Sequence, residues 1–326
     1  MNRRLRAVSG LAMALIVMLL SGCDNVDWGG ADVAVVPPPP TAGGDEEDVI
    51  PTEERIPEGP IVFYVAPSDG SATLIPVGEV AQGTLLPIRA QANWESYGRG
   101  LIAQHMRTGT EYALFRSGAR VGTLVLDDAQ IPPEGVCPRV PRGRGTLELM
   151  VGADTIPEFL AMAKSQAPTN VGRVVAVSPD PDRRMQILGP LLAERLLRAR
   201  RAPLPGSWTR AMAQLKPFPA AGEENAAFAS TFLVGDSLGV GQDDEGYSLF
   251  FIAEPMPEVG YDTVYAKFTP YETQGKQAPR VVDYLDWDRD EQVELLLEVY
   301  GTDQAWFEAL GRGEAGWREL VSTRCE

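Results

Sequence analysis

Five carboxylates fall within nine residues of this chain, in the stretch Asp286-Trp287-Asp288-Arg289-Asp290-Glu291-Gln292-Val293-Glu294, and four of them share a regular spacing. Asp286, Asp288, Asp290 and Glu294 occupy positions 1, 3, 5 and 9. That spacing lets a tight loop wrap a hard cation in oxygens, the coordination calcium prefers. Left unpaired at close range the four groups repel one another. A Ca2+ ion would relieve the repulsion, with the Gln292 carbonyl and water completing its shell. The Arg289 guanidinium could also relieve part of it without any metal, leaving an acidic hairpin turn. The loop is not an EF-hand, because its sixth position is Glu291 rather than glycine and its twelfth is Leu297.

The acidic stretch resembles the calcium loops of FG-GAP (integrin-alpha-like) repeats, in which DxDGDGxxD/E joins two strands of a propeller blade. The flanking runs Val281-Val282-Asp283-Tyr284-Leu285 and Glu294-Leu295-Leu296-Leu297 supply the strand context. The resemblance implies calcium on Asp286, Asp288, Asp290 and Glu294, and it covers this one loop only. Arg289 and Glu291 stand where the repeat has glycine.

A second candidate is Gly235-Asp236-Ser237-Leu238, following the apolar Phe232-Leu233-Val234. It resembles the nucleophile block of the GDSL (SGNH) hydrolases, which implies Ser237 as nucleophile. Such a serine needs a base, in that family a histidine in an Asp-x-x-His block near the C-terminus. The only histidine is His105, far upstream and without an aspartate three residues before it, and fewer than ninety residues follow Ser237. The sequence therefore predicts a turn at 235–238 and no enzyme. His105 alone cannot build a zinc site and reads as a structural histidine.

The N-terminus carries Arg3, Arg4 and Arg6, then the ten-residue apolar run Leu11–Leu20, then Leu20-Ser21-Gly22-Cys23. The run is short for a membrane span and has the layout of a signal peptide. The motif resembles the bacterial lipobox, which implies cleavage before Cys23 and covalent lipid on its thiol. The expected location is the bacterial cell envelope, with the chain anchored to a membrane through acylated Cys23 and the folded part in the periplasm or outside the cell. Which membrane stays open. In that oxidising compartment the remaining Cys137 and Cys325 form an even pair, read as a disulfide.

The chain has 326 residues with 29 Lys+Arg against 45 Asp+Glu, a formal charge of −16. Removing 1–22 takes away three arginines and no acid, so the mature charge is −19. This surplus excludes nucleic acid as a partner, because a phosphate backbone needs a basic surface. Residues 1–22 read as signal peptide and 23–60 as a lipidated tether, with Pro37–Pro40 and the acid run Asp45–Asp48 keeping it extended. Residues 61–153 read as a β-rich unit, starting with Ile61–Ala66 and including a hairpin with a four-residue turn at 117–120. Thr155-x-x-Glu158 has the spacing of a capping box and predicts a short helix through Ala163.

Residues 154–220 read as a helical connection. It centres on an amphipathic helix over Ile187–Arg201 with Arg195, Arg198 and Arg200 outside the apolar face, and a second short helix from Ser207. That basic face suits either anionic lipid or pairing with the many acids of this chain. Residues 221–326 read as an antiparallel β unit, with Val293–Tyr300 alternating as a half-buried strand. The expected fold is mainly β with a few short helices, its antiparallel sheets forming a sandwich or a partial, propeller-like meander. The expected function is a non-enzymatic binding or structural module, calcium-stabilised, with an envelope protein or glycan as partner. The alternatives are an envelope hydrolase and an accessory solute- or metal-binding lipoprotein.

Overall fold

Strands of alternating pattern after residue 60 close into a barrel. The computed structural model describes residues 55–325 apart from 69, 89–92, 134, 169–177, 179, 221–225, 242–244 and 258–259. The signal peptide, Cys23 and the tether as far as residue 54 lie outside the described residues. In chain order the first part runs β1 (Ile61–Ser68), β2 (Ser71–Ala81), β3 (Thr84–Pro87), α1 (Trp94–His105), β4 (Glu111–Arg116), β5 (Ala119–Gln130), β6 (Arg142–Leu149) and β7 (Phe159–Ala163). The sheet order β1-β7-β4-β5-β6-β2 returns to β1, so six antiparallel strands form a closed barrel and β3 extends the far end of β2. Phe63, Leu74, Leu114, Leu126 and Phe159 fill the interior, and α1 adds Trp94, Tyr97 and Leu101 to the same core.

The segment expected as a helix after Thr155 is strand β7. Its run Phe159-Leu160-Ala161-Met162-Ala163 is buried on both faces between β1 and β4. A continuous apolar run of this kind carries no polar face from which a period could be read. The hairpin between β4 and β5 turns on two residues rather than four. Ser117 and Gly118 both have positive φ, 49° and 70°, as the two-residue turn matching strand twist requires.

The chain continues through α2 (Arg183–Ala199), α3 (Trp208–Ala211) and β8 (Met212–Phe218), then β9 (Ala227–Val234), β10 (Tyr247–Met256) and β11 (Gly260–Pro270). It ends with α4 (Tyr271–Gln274), β12 (Ala278–Leu285), β13 (Glu294–Tyr300), β14 (Ala305–Gly313) and β15 (Gly316–Ser322). The second helix from Ser207 is a single turn that passes into β8. β8–β11 and β12–β15 are two four-stranded antiparallel meanders. The fold is thus mainly β and antiparallel, as the sequence predicts.

The layers stack by shared cores. One face of the β12–β15 sheet puts Val282, Leu296 and Phe307 against Val62, Phe115 and Leu160 of the barrel wall. Its other face puts Leu295, Val299 and Trp306 against Phe218, Phe250 and Ile252 of the β8–β11 sheet. The far face of the β8–β11 sheet is covered by Met185, Leu192 and Leu197 of α2. The β13 strand expected to be half-buried is therefore covered on both sides: Leu295 and Leu297 face one core and Leu296 the other. The last six residues of the expected tether, 55–60, lie on the barrel. There the buried Glu79 accepts the Glu58 and Gly59 amides at 2.8 and 2.7 Å and pairs with Arg55 at 2.7 Å.

Candidate functional site

The acidic loop joins β12 to β13 at the end of the middle sheet, between strands that differ in how they leave it. Leu285 and Trp287 are buried against the barrel, which fixes the start of the loop, and Glu294 opens β13. Trp287 donates its backbone N–H to Glu294 Oε2 at 3.1 Å, tying the two ends together. Asp286 accepts the amides of Asp290 and Glu291, at 3.1 and 3.2 Å. Asp290 in turn accepts the Gln292 amide at 2.8 Å.

Arg289 and Glu291, the two departures from the glycine pattern, both hold φ at 69°. The loop thus takes left-handed backbone at the two positions where the FG-GAP pattern has glycine, and it does so with side chains that pay a conformational cost there.

Oxygens of Asp286, Asp288 and Glu294 lie within 4.8 Å of one another; Asp290 is not part of that group. Glu294 is only 4% exposed. Burial, reinforced by the Asp288, Asp290 and Asp286 charges, pushes its carboxyl up to about 9. Burial also raises Asp286 and Asp288, and the neighbouring Asp290 charge adds to both shifts. The Arg289 guanidinium turns away from the cluster and donates to the carbonyls of Gln166 and Ala167, at 2.8 and 3.3 Å. Among the described residues no ion pair reaches Asp286, Asp288, Asp290 or Glu294. The donor set of carboxylate oxygens suits a hard divalent cation, and a proton on Glu294 is the alternative way of lowering the charge.

Six residues before Asp286, β12 carries a different constellation that sequence reasoning missed. Arg280 forks onto Glu158 with two bonds of 2.8 and 2.7 Å and reaches Glu298 at 2.6 Å and Tyr300 at 2.9 Å. Asp283, fully buried, accepts the Ser117 amide at 2.7 Å and lies 3.7 Å from Lys216 and 3.9 Å from Arg116. Burial raises the Asp283 carboxyl and lowers the Lys216 ammonium, each opposed by the other's charge. These groups join the barrel to both sheets. The available signal was an aspartate inside the apolar Val281–Leu285 run. Glu158, expected at a helix start, is one of the three carboxylates of this network, with Glu298 and Asp283.

Ser237 lies in the loop between β9 and β10. Gly235 supplies a positive φ of 73°, and the Asp236 carboxylate accepts Tyr271 Oη at 2.7 Å and Lys276 Nζ at 2.5 Å. Ser237 itself is exposed, its amide bonded to Asp236. His105 ends α1 on the barrel, where its ring bonds the Pro57 carbonyl at 2.6 Å. The structure does not bring His105 and Ser237 together. Cys137 and Cys325 are joined as a disulfide with Cα atoms 6.0 Å apart, linking the segment after β5 to the C-terminus.

No protein family, curated protein or solved structure matches the chain.

Proposed function

We propose that the protein is a lipid-anchored component of the bacterial cell envelope whose β-rich folded part is a non-enzymatic binding or structural module. The observation that supports the non-enzymatic reading is the Gly235–Leu238 turn. Its Asp236 is committed to Lys276 and Tyr271, and the one histidine of the chain, His105, is held on the barrel by the Pro57 carbonyl. Acylated Cys23 is the membrane attachment in this reading, and an envelope protein or glycan is the partner. Among the described residues no helix is long and apolar enough to cross a membrane. The test is Cys23→Ala in cells fed labelled palmitate. The precursor should stay unprocessed and unlabelled, and normal labelling of the variant would end the lipoprotein reading.

Within the same proposal the 286–294 loop is a structural calcium clip that holds β12 and β13 in register. In EDTA, folded Glu294 keeps its proton over a range where the unfolded side chain has lost it. The folded state then binds more protons, and stability falls as pH rises from about 4.5 to about 9. Millimolar calcium should raise the melting temperature, by about 2.7 kcal/mol of stability at a hundredfold excess over the dissociation constant. Asp288→Ala should remove most of that gain. Identical melting curves in EDTA and calcium would leave the loop an acidic turn.

A further inference from the structure

In a chain with 16 more acids than bases, residues 183–210 hold seven arginines and a single acid, Glu194. All seven, Arg183, Arg184, Arg195, Arg198, Arg200, Arg201 and Arg210, are exposed. Arg195 pairs with Asp262 and Arg198 with Glu194. Arg184 stacks over Tyr261, and Arg200 donates to the Leu196 carbonyl. Among the described residues none of Arg183, Arg200, Arg201 and Arg210 has an acidic partner. Two acids, Asp262 and Glu194, are thus set against seven arginines on this surface.

The same surface is apolar where a solvated helix would be polar. The inner side of α2 is satisfied by Met185, Leu192, Ala193 and Leu197. Its outer side carries Ile187, 54% exposed, and Leu191, 56% exposed, one turn apart. Leu204, in the elbow between Pro203 and Pro205 that follows, is 40% exposed. A 3.6-residue period places Arg198 on the Ile187–Leu191 stripe and Arg183, Arg184 and Arg195 along its sides. Two aliphatic side chains framed by guanidinium groups on long stems is the arrangement that sits at a headgroup boundary, apolar tips inserted and charges at the phosphates.

We propose that the outer face of α2, with the elbow after it, docks on the anionic headgroup layer of the membrane that carries the acyl anchor. The proposal rests on the lipoprotein reading for its membrane. The tether allows it. Cys23 and Arg55 are separated by 32 residues, about 100 Å of extended chain, enough for the layer farthest from the barrel to turn back to the bilayer. The acidic remainder of the protein does not forbid it, because beyond about 8–10 Å its charge is screened while the arginines are in contact. The like-charge repulsion instead selects this one face.

The test uses the mature chain from residue 23 with Cys23→Ser, so that no acyl group contributes, floated with vesicles of phosphatidylcholine alone or with added phosphatidylglycerol. Recovery with the anionic vesicles should be at least about tenfold higher, and salt near 1 M should abolish it. Ile187→Ser/Leu191→Ser and Arg183→Glu/Arg200→Glu should each lose binding while keeping the parent melting temperature. Met150→Ser/Val151→Ser, which removes exposed apolar groups on the barrel, should keep it. Equal recovery on both vesicle types, full binding by Ile187→Ser/Leu191→Ser, or capture by a polyglutamate resin without any capture by vesicles would overturn the proposal. None of these outcomes depends on whether Cys23 is acylated in cells.

Discussion

Replacing Arg280 with alanine should cost about 3–5 kcal/mol of folding stability, the range for removing one partner from a buried ion pair. Glu158 and Glu298 would be left facing each other at the seam of barrel and middle sheet, with side chains only 7% and 17% exposed. Arg280→Lys should recover only part of the loss. A single ammonium cannot make the two parallel bonds to Glu158 and still reach Glu298 and Tyr300. The triple change Arg280→Met/Glu158→Leu/Glu298→Leu should lie closer to the parent, since it removes Arg280 together with both of its carboxylates and their desolvation cost, while Arg116, 3.5 Å from Glu158, keeps Asp283 as its partner. Urea or guanidinium midpoints measure all three. A loss below about 1 kcal/mol for Arg280→Ala would mean the network is screened like a surface pair.

Reducing the Cys137–Cys325 bridge should cost about 5 kcal/mol in the chain-entropy account, because the bond closes a loop of 188 residues. In the oxidised, folded protein neither cysteine should react with an alkylating agent. After reduction both should, and the melting temperature should drop. Cys137→Ser/Cys325→Ser should melt where the reduced parent does. Two reactive thiols in oxidised protein, or a melting point indifferent to reductant, would remove the bridge from the account of stability.

The strands that alternate or carry dense β-formers were legible. Ile61–Ala66 lies within β1, and the Val293–Tyr300 run forms β13 from Glu294 onward. What misled was burial on two faces. Phe159–Ala163 and Leu295–Leu297 each lie between two cores, so their apolar runs have no period to distinguish helix from strand or inside from outside. Glu158 shows the same limit at a single residue. Three positions after a threonine it looks like half of a capping box, and only its distant partner Arg280 gives it another role.

The acidic loop was readable as a loop and as a cluster because its carboxylates are local in sequence. The direction of Arg289 was not, since its acceptors at 166–167 are more than a hundred residues away. α1 went unseen altogether. Its two glycines, Gly98 and Gly100, weaken helical propensity, and a Cβ at either would press on the Ile131 or Ile56 side chain, at 3.1 and 2.7 Å.

The middle sheet is made from residues 278–322, which follow both outer layers in the chain. Until residues 278–322 arrive, the barrel wall at Val62, Phe115 and Leu160 and the β8–β11 face at Phe218, Phe250 and Ile252 have nothing between them. In chain order both outer layers precede the sheet that lies between them, so each has an apolar side that only these later strands cover. Cys325 lies just beyond that sheet, so the disulfide ties the end of its last strand to the segment that follows β5 in the barrel. The bridge works as a latch on the finished assembly, and a chain cut short before residue 278 would expose two sticky surfaces instead of lacking one harmless end.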